Sequence, residues 1–148
     1  MAQSMTASLD LVLQQATQRQ DSVAKKVRAA SLFVEQEIQQ TQNLTNYLGE
    51  YQEKIRLQKH CSAIESIRYR SFCAQLQTAI VQQQEKVQFA EARLAELRQE
   101  LVEQQHKISV LQDMIEKKHQ NSAAVDEKKL QKLIDELSAR QHIRSMTT

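Results

Sequence analysis

Apolar residues recur at alternating spacings of four and three over two long stretches, and that period decides most of what this chain can become. The first stretch runs Leu9, Leu13, Ala16, Gln20, Val23, Val27, Ala30, Val34, Glu37, Thr41, Leu44, Leu48, Tyr51, Ile55, with eleven of fourteen positions apolar. The second runs Tyr69, Cys73, Leu76, Ile80, Gln83, Val87, Ala90, Leu94, Leu97, Leu101, Gln104, Ile108, Leu111, Ile115, with twelve of fourteen apolar. Heptads sustained over this length specify helices that pack seam to seam as a coiled coil. Leu13 and Ile80 take position a, and Leu9 and Leu76 take position d. The chain has no Pro, one Gly (Gly49) and 24 Gln. Sheets need turns, and turns draw on Gly and Pro, so all-β and α/β folds are excluded in favour of long helix.

Each stretch covers 47 residues in fourteen layers. Folding the chain at residue 62 matches them layer for layer: Ile55 and Tyr69 lie equally far from that point, and so do Leu9 and Ile115. The expected fold is all-α, with two long helices forming an antiparallel coiled-coil hairpin in a single domain over 1–148. The first helix is predicted at about 8–58, the turn at about 58–62 and the second helix at about 63–142. Ser62-Ala-Ile-Glu65 reads as a capping box that starts the second helix. The alternative is one unbroken helix paired with a second molecule, because the turn holds no strict helix breaker.

Past Ile115 the register meets Lys118, Ser122, Val125, Lys129 and Lys132, mostly polar. A four-residue stutter restores a stripe of Ala123, Leu130, Leu133 and Leu137, with Ile134 beside it. Nothing in the first helix lies opposite it, so residues 116–142 are expected as an unpaired overhang. At about 1.5 Å per residue this adds roughly 40 Å to a paired rod of roughly 70 Å. Residues 1–7 and 143–148 are polar ends expected to fray. An uncovered apolar stripe calls for a protein that covers it, or for a tail that folds back on its own hairpin or packs on a second copy.

Charge is balanced, with 20 Lys+Arg against 18 Asp+Glu and a net charge of +2, which is no footprint for nucleic acid. No apolar run is long enough for membrane insertion, and the first residues lack the pattern of a signal peptide. Two cysteines make no disulfide framework, and a reducing cytosol is the default compartment. One glycine allows no Gly-rich phosphate loop. His60, His106, His119 and His142 lie far apart, without ligand spacing. His60 and Cys61 with Cys73 form the nearest approach to a metal set, but Cys73 falls at an a position and reads more simply as a core residue. No cofactor is expected. The basic groups at Lys25-Lys26, Lys117-Lys118 and Lys128-Lys129 read as solvated helix faces. Two paired helices offer no dry concave pocket, so an enzyme is not expected.

The flanks of the seam differ. In an antiparallel pair the g positions share one side and the e positions the other. Near the turn the e positions are Thr45, Gln52, Arg70, Gln77 and Gln84, all polar. The g positions are Gln40, Tyr47, Phe72 and Ala79. Two facing stripes result, Gln40-Leu44-Tyr47-Tyr51 and Phe72-Leu76-Ala79-Gln83. Either the rings widen the core and shield the tip, or they anchor an apolar partner site.

At these residues the chain resembles the FliJ family of the bacterial flagellar type III export apparatus. The resemblance is carried by Gln40-x3-Leu44-x2-Tyr47-x3-Tyr51, by Tyr69-x2-Phe72-x3-Leu76-x2-Ala79-Ile80, and by Asp126-Glu-Lys-Lys-Leu130 followed by Leu133-Ile-Asp-Glu-Leu137-x2-Arg140. It runs the whole length in size and layout. It implies an antiparallel two-helix coiled coil similar to the gamma-subunit stalk of rotary ATP synthases. The implied partners are the hexameric flagellar export ATPase, near its central hole, the cytoplasmic part of the export-gate protein FlhA, and flagellar substrate chaperones. The positions implied for gate contact are Gln40, Leu44, Tyr47, Tyr51, Phe72, Leu76, Ala79 and Gln83. For the ATPase the overhang would supply Leu130, Leu133 and Leu137, flanked by Lys128, Lys129 and Arg140. Two features depart from the family pattern: the turn between Leu57 and Ile67 has no glycine or tryptophan, and the last gate position is Gln83 where His is frequent.

The expectation is a non-catalytic, stalk-like adaptor, cytoplasmic and held at the inner membrane only through the export apparatus. Its rivals are an export chaperone that holds substrates or their chaperones without acting on an ATPase, and a generic coiled-coil dimer with no exporter.

Overall fold

The computed structural model describes residues 2–58, 60 and 62–147. Helices α1 (Ala2–Arg56) and α2 (Ala63–Thr147) pack against each other, with no strand among the described residues. The expected all-α helical hairpin is the observed fold.

The connection follows from its local sequence. Leu57 N donates to Glu53 O at 3.1 Å, and Gln58 N donates to Ile55 O at 3.0 Å; the second, tighter bond ends α1. Lys54 and Arg56 occupy the last turn, where the helix dipole favours cations. α2 opens on the expected capping box, with Glu65 N donating to Ser62 Oγ at 3.1 Å and Ser62 N to Glu65 Oε2 at 3.4 Å. Cys61, one of the three residues of the metal set considered from sequence, lies outside the described residues. Helix extends over 2–7 and 143–147, segments expected to fray. Neither end holds a Pro or Gly to break it, and α1's first turns have α2 to lie against.

The chain divides into two compact units, residues 21–102 and residues 1–20 with 103–148. In the unit 21–102, every seam position from Val23 to Ile55 and from Tyr69 to Leu101 is buried or half-buried. Its core cluster is Val34, Ala90 and Leu94, with Val27, Ala30 and Ile38 packed against it. Val34 shares a layer with Ala90, and Ala30 with Leu94, which is the pairing that a fold at residue 62 requires. No described side chain is completely enclosed, because two helices have no third to close the seam. The polar exceptions satisfy one another. Gln83, only 5% exposed, donates through Nε2 to the Glu37 carbonyl at 3.3 Å and also to the Glu37 carboxylate. Thr41, opposite Gln83 in the register, donates its hydroxyl to the same carbonyl at 2.9 Å.

In the other unit, Leu9, Leu13, Ala16 and Gln20 and their counterparts Gln104, Ile108, Leu111 and Ile115 are likewise buried or half-buried. Buried Ala16 and Ile108 share a layer. So do Gln20 and Gln104, and Gln104 Oε1 is buried without a hydrogen-bond partner. Thr6 and Lys118 add a further half-buried layer. Pairing thus passes Ile115, and the uncovered segment starts after Lys118 rather than at 116. The cause is the early start of α1, which gives the Lys118 stem a surface to cover. From His119 to Met146 every residue is exposed.

Candidate functional site

Near the turn, α1 and α2 bring four aromatic rings together. Tyr47 and Phe72 stand one residue before seam positions Leu48 and Cys73, so both lean from the seam toward the same flank. Their centroids lie 6.2 Å apart at 83°, an edge-on geometry that ring quadrupoles favour. Tyr51, in the seam, meets Phe72 edge-on at 4.6 Å and Tyr69 at 5.6 Å. A side-chain hydrogen bond with Cys73 raises the Tyr69 phenol above its ordinary value; desolvation and the neighbouring Cys73 and Tyr51 add to the shift.

The eight residues expected at this flank do not all face solvent. Tyr47 is 50% exposed, and Gln40 is exposed. Phe72 and Ala79 are half-buried, as are the seam residues Leu44, Tyr51 and Leu76. Gln83 points inward to Glu37. Phe72 therefore packs into the tip while Tyr47 keeps half its surface in water.

The second expected site lies on the C-terminal part of α2. Leu130, Leu133 and Leu137 are exposed, with Leu130 at 59%, and Lys128, Lys129 and Arg140 are exposed beside them. Ile134 joins this face, and Gln131 Nε2 donates to Asp135 Oδ1 at 3.3 Å across the next turn. Ile143 and Met146 are exposed apolar residues of the same helix. They have no place in the stripe read from sequence, because the polar end reads as fraying. Leu137, Arg140 and Ile143 border one shallow depression. Lys129 is less isolated than its place in an overhang implied. It borders a cleft lined by Met5, Ala7 and Asp10 of α1 and by Ser122, Val125 and Asp126 of α2.

Among the described residues there is no cluster of three or more metal-ligating side chains, and no helix long and apolar enough to cross a membrane. Two antiparallel helices share a thin seam, with a ring-bearing flank and an uncovered apolar helix face, and define a coiled-coil protein. The family model described as flagellar FliJ protein matches residues 5–147, and the chain belongs to that family. Its role accordingly falls in flagellar protein export. No curated protein and no solved structure matches the chain.

Proposed function

We propose that this chain is a non-catalytic stalk of the bacterial flagellar type III export apparatus. It couples the hexameric export ATPase to the export gate FlhA and exchanges with substrate chaperones. It works in the cytoplasm, and reaches the inner membrane only through the apparatus. The ring-bearing flank around Tyr47 and Phe72 meets the gate. The C-terminal face of Leu130, Leu133 and Leu137 meets the ATPase, with Lys128, Lys129 and Arg140 facing acidic groups around the ring opening.

The observation that carries this reading is the uncovered stripe on the C-terminal part of α2, in a chain of the FliJ family. A lone helix in water is only marginally stable, so an apolar face of this kind is suited to a protein that covers it. Separate co-purification with the export ATPase and with the cytoplasmic part of FlhA tests it, together with ATP hydrolysis at stoichiometric protein. Stimulated hydrolysis supports the stalk. Protection of an export substrate with no effect on hydrolysis would instead identify an export chaperone.

A further inference from the structure

Phe89 is 80% exposed and Phe33 51%. Each stands one residue before a core residue, Phe33 before Val34 and Phe89 before Ala90, and those two share a layer of the core cluster. In an antiparallel pair, residues one step before positions a and d fall at g and c, on a single side of the seam. Both rings therefore lie on the flank that carries Tyr47 and Phe72 nearer the turn. On the opposite side at this level α1 covers the seam, with Ile38 packed against the core cluster and Ala24 and Ser31 half-buried, while Gln84 and Glu91 of α2 are exposed. α1 is turned so that its e positions cover the core and its g positions Lys26, Phe33 and Gln40 face solvent.

The charge of this flank is one-sided. From 26 to 47 in α1 and from 72 to 93 in α2, the c and g positions hold Lys26, Lys86 and Arg93 and no Asp or Glu. Aromatic, Ala, Gln and Asn residues fill the rest. Glu50 and Glu96 bound the strip. Arg93 pairs with Glu96 at 3.3 Å, whereas no ion pair among the described residues engages Lys26 or Lys86. The strip is about 30 Å long at 1.5 Å per residue.

We infer that this flank is one continuous docking face for an acidic, amphipathic protein segment. Such a segment seats apolar anchors at both ring pairs, Tyr47/Phe72 and Phe33/Phe89, sets carboxylates against Lys26 and Lys86, and hydrogen-bonds the amides between them. Lipid surfaces and nucleic acids draw on denser basic clusters than three cations over this length, and the bounding glutamates would repel both. The inference deepens the proposed gate contact and rests on it: the gate partner engages the middle of the hairpin as well as its tip.

The test measures affinity for the cytoplasmic part of FlhA with three double variants of the full chain. These are Tyr47→Ala/Phe72→Ala, Phe33→Gln/Phe89→Gln and Lys26→Glu/Lys86→Glu. Because Phe33 and Phe89 are exposed, their variant should melt like the wild type. It should nonetheless bind about tenfold more weakly or worse, as loss of aromatic anchors does. The charge variant should lose most at low salt. Wild-type affinity in the Phe33/Phe89 variant, with a weakened Tyr47/Phe72 variant, overturns the extended face and leaves the gate contact standing. Absence of binding by the wild type overturns both. Wild-type sedimentation with vesicles of phosphatidylcholine and phosphatidylglycerol, lost in the charge variant, would assign the strip to a lipid surface and overturn the inference.

Discussion

Deletion of residues 123–148 separates the paired part of the molecule from its uncovered helix. The energetic cost can be estimated from burial. Every residue from His119 to Met146 is exposed, and the removed apolar residue that lines the cleft with Met5 of α1 is Val125, 50% exposed. Full burial of a valine is worth about 1.5–3 kcal/mol, so half of it, shared with its own helix, contributes about 1 kcal/mol or less. The truncated chain should therefore unfold within about 1 kcal/mol of the full one in urea, with circular dichroism as the probe. Leu94→Ala sets the scale, since emptying a buried leucine site costs about 2–5 kcal/mol. The truncated chain should also lose stimulation of the export ATPase while keeping affinity for the gate. A loss above about 3 kcal/mol would mean that the removed helix is covered in the free protein. Full ATPase activation by the truncated chain would show that the ATPase contact has been placed at the wrong end.

Cysteines introduced at Leu48 and Leu76, which share a layer, should cross-link within a monomer; links found only in dimers would refute the intramolecular hairpin. Ser62→Ala, which removes the acceptor for Glu65 N, should cost about 1 kcal/mol in chemical unfolding. Tyr47→Ala with Phe72→Ala should weaken gate binding about thirtyfold, from a loss of about 2 kcal/mol, and reduce motility while leaving ATPase stimulation largely intact. Unchanged gate affinity in that folded variant would mean that the rings only pack. In an alkaline absorbance titration Tyr69 should ionise above the ordinary tyrosine value. A raised folded pKa makes the phenol's contribution to stability complete below the unfolded value and lost as pH climbs through the folded one. Cys73→Ala should move Tyr69 back toward the ordinary tyrosine value, and an unmoved curve would sever the Tyr69–Cys73 link.

The layers of the hairpin were legible because a period of 3.5 leaves two helices one way to bury both stripes at once. Ser62 and Glu65 were legible because their bonds are local. The rotation of each helix about its own axis was not. Heptad letters give e and g equal standing, yet Ile38 at e packs on the core while Phe33 at g stands in water. Gln83 holds a seam position and is also among those implied for gate contact; it turns in to meet Glu37, an outcome decided by where a partner for its amide lies. Phe89 carried a visible signal, a large ring at an outward c position, but only when positions away from the seam are inspected. The start of α1 was misplaced because polar first turns look unsupported until Lys118 is seen to lie opposite them.

The knot of Glu37, Thr41 and Gln83 has a mechanical consequence. A slip of one heptad would carry Gln83 opposite Val34 or Leu48 and strand its amide among aliphatic carbons, at about 1–3 kcal/mol for each buried group left unpaired. Apolar layers alone would resist such a slip far less, since leucine meets leucine again seven residues on. A slip of the two helices past each other is thereby disfavoured, while torsion and flexure, which keep every layer in register, cost none of these bonds. The register of the two helices, and with it the spacing of Tyr47 and Phe72, is held at that level.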